Sequence, residues 1–227
     1  MIQISFVGAY DKINLIMYVS KILETMKKKV LVVDCSLEQK TRYMVPSIFP
    51  TKSYVTEFEG IDFAVGFENI EHLSEYLGGI DDYDLIIYDI YKTEMIQQLD
   101  IKRCYKNFFV TSEDLYSLKK GAELLSSIEE NIVFTKIIFS NDVIKEEEQY
   151  LEYLLLGSKI EWYKTIFFPV LLDDYCVAIE NQAVSKIKIK KLSNHYKESL
   201  IYIMMMILGE NSLNNIKKAI KMAWKDI

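Results

Sequence analysis

Ile2-Gln3-Ile4-Ser5-Phe6-Val7-Gly8, then apolar residues at Leu15, Val19, Ile22, Leu23 and Met26, then Lys29-Val30-Leu31-Val32-Val33-Asp34: this stretch decides the fold. The first run is β-branched and aromatic and stops at a glycine, as a strand does. Between Asn14 and Lys28 the apolar positions recur every three or four residues, the period of a helix face. The second run is apolar without alternation, which is the pattern of a strand covered on both faces. Strand, loop, helix and returning strand within so few residues describe one parallel crossover.

Working outward, the same run recurs as Asp84-Leu85-Ile86-Ile87-Tyr88-Asp89, as Asn107 to Thr111, as Phe134 to Ser140, and last as Thr165 to Phe168 before Pro169. Helical periods separate them at Ser112 to Glu130 and Glu146 to Leu156, where the acidic Glu146-Glu147-Glu148 start suits the positive end of a helix. The expected fold is therefore α/β, a mostly parallel β-sheet with helices on both faces. The stretch Glu38 to Glu75, with Pro46 and Pro50, mixes patterns and is read only as short strands and loops.

Composition narrows the class. With 227 residues, 27 Lys+Arg against 33 Asp+Glu, a net charge of −6, 50% hydrophobic residues, 8 Gly and 3 Pro, the chain is one well-filled domain, not a disordered, collagen-like or linker-rich one. An acidic whole argues against broad electrostatic wrapping of nucleic acid. Cys35, Cys104 and Cys176 are odd in number and form no CxxC pair, so neither a disulfide framework nor a zinc cluster is expected, and a reducing cytoplasm is. His72 and His195 stand at no metal-ligand spacing. The strand-like start at Ile2 has no leader pattern. The longest apolar run, Leu200 to Leu208, is less than half of the roughly 20 residues that span a bilayer and reads as a core helix.

In open parallel sheets the ligand sits beyond the carboxyl ends of the strands. Here those segments are Gly8 to Asn14, Asp34 to Lys40, Asp89 to Lys92, Thr111 to Asp114, Asn141, and Pro169 to Asp174. A glycine-started loop between strand and helix, with KVLVVD and DYDLIIYD each ending in Asp, resembles the MinD/ParA group of P-loop nucleotide-binding proteins (SIMIBI class) over nearly the whole chain. In that family the loop reads KGGxGKT/S, the second strand ends in Asp-x-Asp, and the third in the Walker B Asp.

The resemblance implies a site for ATP or ADP with Mg²⁺ at Gly8, Asp11, Lys12, Ile13, Asn14, Asp34, Asp89, Asn141 and Pro169. Gly8 and Lys12 match the loop, and Lys12 inherits the lysine that reaches the β and γ phosphates. The rest departs. Asp11 stands where a glycine approaches the phosphate, and Ile13 where a hydroxyl ligates Mg²⁺; Asn14, one residue on, offers an amide oxygen. Ala9 and Tyr10 replace a tight glycine approach. Asp34 matches the first Asp of Asp-x-Asp, but Ser36 replaces the second. Asp89 falls at the Walker B position and is the metal residue if ATP binds; an Asp at a strand end also commonly caps the following turn. Thr111 or Ser112 is expected to cap the next helix. Asn141 and Pro169 fall where the family cradles adenine, though Asn141 is equally a turn residue.

Two basic segments remain. After Gly209, Ser212 is placed to cap a last helix to Ile227, with Leu213, Ile216, Ile220, Ala223, Trp224 and Ile227 on one side and Lys217, Lys218, Lys221 and Lys225 beside it. The chain is thus divided into a domain over 1–208 and a basic amphipathic helix over 209–227. That helix either packs on the domain, binds a partner or docks on an anionic membrane. Lys186-Ile187-Lys188-Ile189-Lys190-Lys191 alternates like a strand or extended sheet edge guarded by lysine.

The expected function is that of a degenerate MinD/ParA-like localisation, scaffolding or regulatory factor with weak or no hydrolysis, comparable to the TadZ/CpaE-like factors of pilus assembly. An ATP-dependent dimeric switch ATPase and a non-hydrolysing nucleotide- or anion-binding regulator are the alternatives. A homodimer and a protein partner are expected, a membrane surface is open through the 212–227 helix, and nucleic acid is not expected. The expected location is the cytoplasm or its membrane face. If the loop is degenerate, Lys12→Ala is expected to leave folding and partner binding nearly unchanged.

Overall fold

A computed structural model describes residues 1–36, 38–47, 51–140 and 145–223. Eight strands form one sheet: β1 (Ile2–Val7), β2 (Val30–Cys35), β3 (Tyr54–Phe58), β4 (Ile61–Val65), β5 (Leu85–Ile90), β6 (Lys106–Ser112), β7 (Ile132–Phe139) and β8 (Ile160–Phe168). Their order across the sheet is β3-β4-β2-β5-β1-β6-β7-β8, and every pair is parallel except β3 with β4. The helices are α1 (Ile13–Thr25), α2 (Thr41–Met44), α3 (Ile70–Leu77), α4 (Thr93–Gln98), α5 (Leu115–Ser126), α6 (Lys145–Leu154), α7 (Leu172–Val184), α8 (Asn194–Leu208) and α9 (Leu213–Met222). The α/β class, the parallel sheet and the two helical layers are as the sequence predicts.

The unbroken apolar runs are explained by what covers them. One core joins Ile4 and Phe6 of β1 and Val32 of β2 to residues of α1, α8 and α9; the other joins Val7, Leu31 and Val33 to residues of α3, α4, α5 and α6. Successive residues of a strand point to opposite faces, so a central strand needs apolar side chains at both parities. α8 contributes Leu200, Ile203, Met204 and Ile207, all buried, to the first core. Its apolar run is a core helix, and among the described residues no helix is long and apolar enough to cross a membrane.

The structure gives the short strands expected between Glu38 and Glu75 their pairing, and corrects the reading at other places. Tyr54–Phe58 and Ile61–Val65 form an antiparallel hairpin whose turn residues Glu59 and Gly60 both have positive φ (56° and 79°), the geometry of a tight hairpin turn. β8 begins earlier than Thr165. Lys186 to Lys191 is not a sheet edge: it is a link between α7 and α8 that ends in a turn and pairs with no strand among the described residues, with Ile187 and Ile189 buried in the core and the intervening lysines outside. The alternation is real, but it reports one apolar floor beneath the link, not a hydrogen-bonded ladder. Thr111 and Ser112 belong to β6, and Asp114 caps α5 by accepting from Ser117 N–H at 2.9 Å. Ser112 Oγ and Ser117 Oγ (2.7 Å) also donate to it.

At the end of the described chain, Ser212 precedes α9 but donates its hydroxyl to Leu208 O at 3.0 Å, leaving α9 without a side-chain cap. Ile216, Ala219, Ile220 and Ala223 are buried in the core shared with α1 and α8, while Lys217, Lys218 and Lys221 are exposed. Trp224, Lys225 and Ile227 lie outside the described residues.

Candidate functional site at the carboxyl ends of the strands

β1 ends in the middle of the sheet, between β5 and β6, and the loop that follows is pinned there. Gly8 donates its N–H to Ile90 O at 3.1 Å and has φ +147°. A Cβ at this position would lie 2.0 Å from Val110 O, so only glycine passes between the ends of the flanking strands.

Lys12, just before α1, turns its side chain back under the loop. Its ammonium donates to Gly8 O at 2.9 Å and pairs with Asp89 Oδ1 at 2.7 Å. The pair is out of water: Lys12 is 3% exposed and Asp89 4%. Asp89 sits in β5 level with Phe6 of β1 on one side and Asp34 of β2 on the other. Burial pushes its carboxyl above the ordinary aspartate range, Lys12 pulls it down, and Asp34 pushes it up again.

Asp34 is bound into its own loop. One oxygen accepts from Ser36 N–H at 2.9 Å and Ser36 Oγ at 2.5 Å, the other from Thr41 N–H at 3.1 Å. Its observed contacts hold the turn after β2 and the start of α2.

Asp11 reaches the amino end of α1. Oδ1 accepts from Ile13 N–H at 3.2 Å, and Oδ2 takes the Lys40 ammonium at 2.8 Å. That hydrogen bond is the main cause of Lys40's raised pKa. The first N–H groups of a helix have no partner within it and favour negative charge. A carboxylate from this chain meets that demand here. Ile13 is 1% exposed and joins the core, so the position brings no oxygen to the site.

Beside the loop, Tyr10 stacks on Phe139 with ring centroids 4.7 Å apart and interplanar angle 29°. They share a cleft of about 130 Å³ with Asp11, Asn14 and Pro169. Burial is the first cause raising the Tyr10 hydroxyl's pKa.

The structure thus gathers Gly8, Lys12 and Asp89 into direct contact, sets Asp34 beside Asp89, and places Asp11, Asn14 and Pro169 around one cleft; Asn141 lies outside the described residues. Lys40, Tyr10 and Phe139 were not singled out from sequence as site residues. The signal for Tyr10 was an aromatic where a glycine belongs. Lys40 had none beyond its place after a strand, because its partner is 29 residues away.

The same end of the molecule is apolar at its surface. Leu115 and Tyr116, following β6, are 60% and 63% exposed, and Leu172 and Tyr175, following β8, are 75% and 64% exposed. Tyr116 also meets Tyr91, after β5, hydroxyl to hydroxyl at 2.6 Å.

No protein-family model matches the sequence, and no curated protein is similar to it at the sequence level. Solved structures are similar over nearly the whole chain. A ParA family ATPase from Chlorobium tepidum superposes with a TM-score of 0.54 at 15% identity, covering 98% of each chain. A putative plasmid partition protein from Borrelia burgdorferi, bound to AMPPNP, gives 0.54 at 12% identity over 92% of this chain and 100% of that one. MinD in the MinC:MinD cell division complex of Aquifex aeolicus gives 0.50 at 10% identity over 97% and 96%. The chain has the MinD/ParA-like P-loop NTPase fold.

Proposed function

We propose that this protein is a degenerate MinD/ParA-like localisation, scaffolding or regulatory factor, with weak or no ATP hydrolysis, that acts through surface contacts with a second copy and with protein partners. The observation that carries this reading is Asp11: its carboxylate accepts the α1 N–H and the Lys40 ammonium, two donors suited to an incoming phosphate. A triphosphate entering there meets a fixed negative charge.

The surrounding groups support the same reading. Lys12 would have to leave Asp89, and separating a buried pair so that one charge is stranded costs about 3–5 kcal/mol. The cleft of about 130 Å³ is well below the roughly 300 Å³ at which ligand pockets begin. Ile13 supplies no metal oxygen, and Asp89 would be free to hold a Mg²⁺ water shell only after Lys12 let go. On this reading the residues present do not fit a magnesium-bound triphosphate, and no hydrolytic step is assigned to them. The exposed Leu115, Tyr116, Leu172 and Tyr175 support a protein-binding role for the strand-end surface. We place α9 with the domain, in the cytoplasm, with only its lysine flank offered to an acidic surface; the resemblance to TadZ/CpaE-like factors fits such a scaffold.

Calorimetric titration with ATP and ADP, with and without Mg²⁺, together with phosphate release on the same sample, tests the proposal. No binding at millimolar nucleotide and no release are expected. Asp11→Gly should bind pyrophosphate at least tenfold more tightly than the unaltered chain. Mg²⁺-dependent binding with turnover by the unaltered protein would replace this reading with that of a switch ATPase.

A further inference from the structure

A larger pocket lies elsewhere, between the flank of α8 and the face of the sheet. It encloses about 550 Å³, within the range of small-molecule sites and well above the strand-end cleft. A bulge in β8 builds one wall. Phe134 of β7 stands level with Trp162 and Lys136 with Thr165, so Tyr163 and Lys164 together oppose the single residue Thr135. Trp162 packs against the core on the far face of the sheet, whereas Ile166, four residues on, joins the core that α8 covers. On a regular strand those two would share a face; the extra residue reverses the alternation and brings Tyr163 and Lys164 to the same pocket. Thr135 Oγ1 lies 4.0 Å from Met206 Sδ, which places that pocket on the α8 side. Lys106 enters it from the start of β6, two strands inward, on the same face as the buried Phe108.

We propose that this pocket binds a small, flat aromatic carboxylate. The body of the ligand is selected by the walls. Tyr163 and Tyr202 are both more than half exposed, and with Met205 and Met206 of α8 they offer ring faces and thioethers, which favour an aromatic body over a plain alkyl chain. The charge selects an anion. The Lys106 and Lys164 ammoniums lie 5.8 Å and 5.3 Å from the Tyr163 ring centroid, and neither has a carboxylate partner among the described residues. The ring's site for a cation is thus filled from within the chain, and what the two lysines lack is a negative charge. Among the described residues Glu210 is the one carboxylate that lines the pocket, and it pairs with neither lysine, so the balance stays positive. Nothing in this site depends on the nucleotide loop.

The probes are 2-naphthoate, its cationic counterpart 2-naphthylmethylamine, and the alkyl carboxylate decanoate. Each is titrated into the full chain carrying ¹³C-methyl methionine, with the Met205 and Met206 signals assigned from Met205→Leu and Met206→Leu. Naphthoate should shift those two methyl signals through its ring current, with the amine and decanoate each roughly tenfold weaker or more. Lys106→Gln with Lys164→Gln should lose roughly tenfold in naphthoate affinity without changing the melting temperature. Lys164 is exposed, so Lys164→Gln alone carries the same test if the double variant folds poorly. Tyr202→Ala, also at an exposed position, should weaken naphthoate while leaving the melting curve in place. Equal binding of naphthoate and the amine, shifts confined to other methionines, or no shift at millimolar naphthoate would overturn the proposal. So would decanoate binding most tightly, since the site would then be one for an acyl chain.

Discussion

Lys12 shows how one residue changes meaning between sequence and structure. From the loop pattern it is a phosphate lysine whose loss a degenerate site would tolerate. In the fold it is buried against Asp89 at 2.7 Å, so Lys12→Ala leaves a carboxylate stranded in the core. The expected outcome is a loss of about 3–5 kcal/mol in a urea denaturation series, with Lys12→Met/Asp89→Leu nearer the parent because neither charge is left alone. Equal stability of the single variant and the parent would show that water reaches Asp89. Asp114 is the second case. Burial alone would raise its carboxyl; the bonds from Ser112 and Ser117 outweigh that and hold it below the ordinary aspartate value. Its stabilisation is therefore present above the unfolded pKa of about 3.9 and lost as pH falls through the lower folded value. Asp114→Ala should cost about 1 kcal/mol at pH 7. The deficit should shrink in acid below that window, read from denaturation midpoints at both pH values.

Among the elements, α9 is the one whose pattern admitted the most readings. Amphipathicity tells that an apolar face exists but not what covers it, since a membrane, a partner and the chain's own core all satisfy the same spacing. The structure buries Ile216 completely, against α1 and α8. Ile216→Ala should therefore destabilise by about 2–5 kcal/mol, the range for an aliphatic truncated in a core. Lys218→Ala should stay within about 0.5 kcal/mol. If the two variants unfold at the same urea concentration, the helix is detached in solution. The link Lys186 to Lys191 teaches the same lesson in reverse: period-two alternation was legible, but a strand also needs a partner, and among the described residues no neighbouring strand supplies one. The hairpin of β3 and β4 was legible only as short strands and loops, because in mixed sequence neither the bounds nor the pairing of so short a strand is marked.

At the scale of the whole molecule, apolar surface collects where the strands end. Leu172 at 75% exposure and Tyr116 at 63% are more than scattered apolar residues need, given that the segments after β6 and β8 share them with Leu115 and Tyr175. If this surface carries self-association, Leu172→Asp should shift the protein toward monomer in sedimentation velocity by tenfold or more in dissociation constant, with an unchanged melting curve. A parent that is monomeric throughout the accessible concentration range would direct the surface to a different protein.

What the sequence determined by itself was the architecture: runs apolar at every position demand cover on both faces, and helices spaced between them can provide it only as layers over a parallel sheet. It also located the strand ends at Gly8, Asp34 and Asp89, because glycine and aspartate interrupt such runs. What it left open was each side chain's partner. Asp11 with Lys40, Lys12 with Asp89 and Tyr10 with Phe139 are contacts between residues separated in the chain or turned back on their own loop. Local propensity carries no information about those meetings. Only the packed sheet, by fixing β5 beside β1 and β2 and β7 each two strands away, decided that the loop would meet a carboxylate from β5 and an aromatic stack.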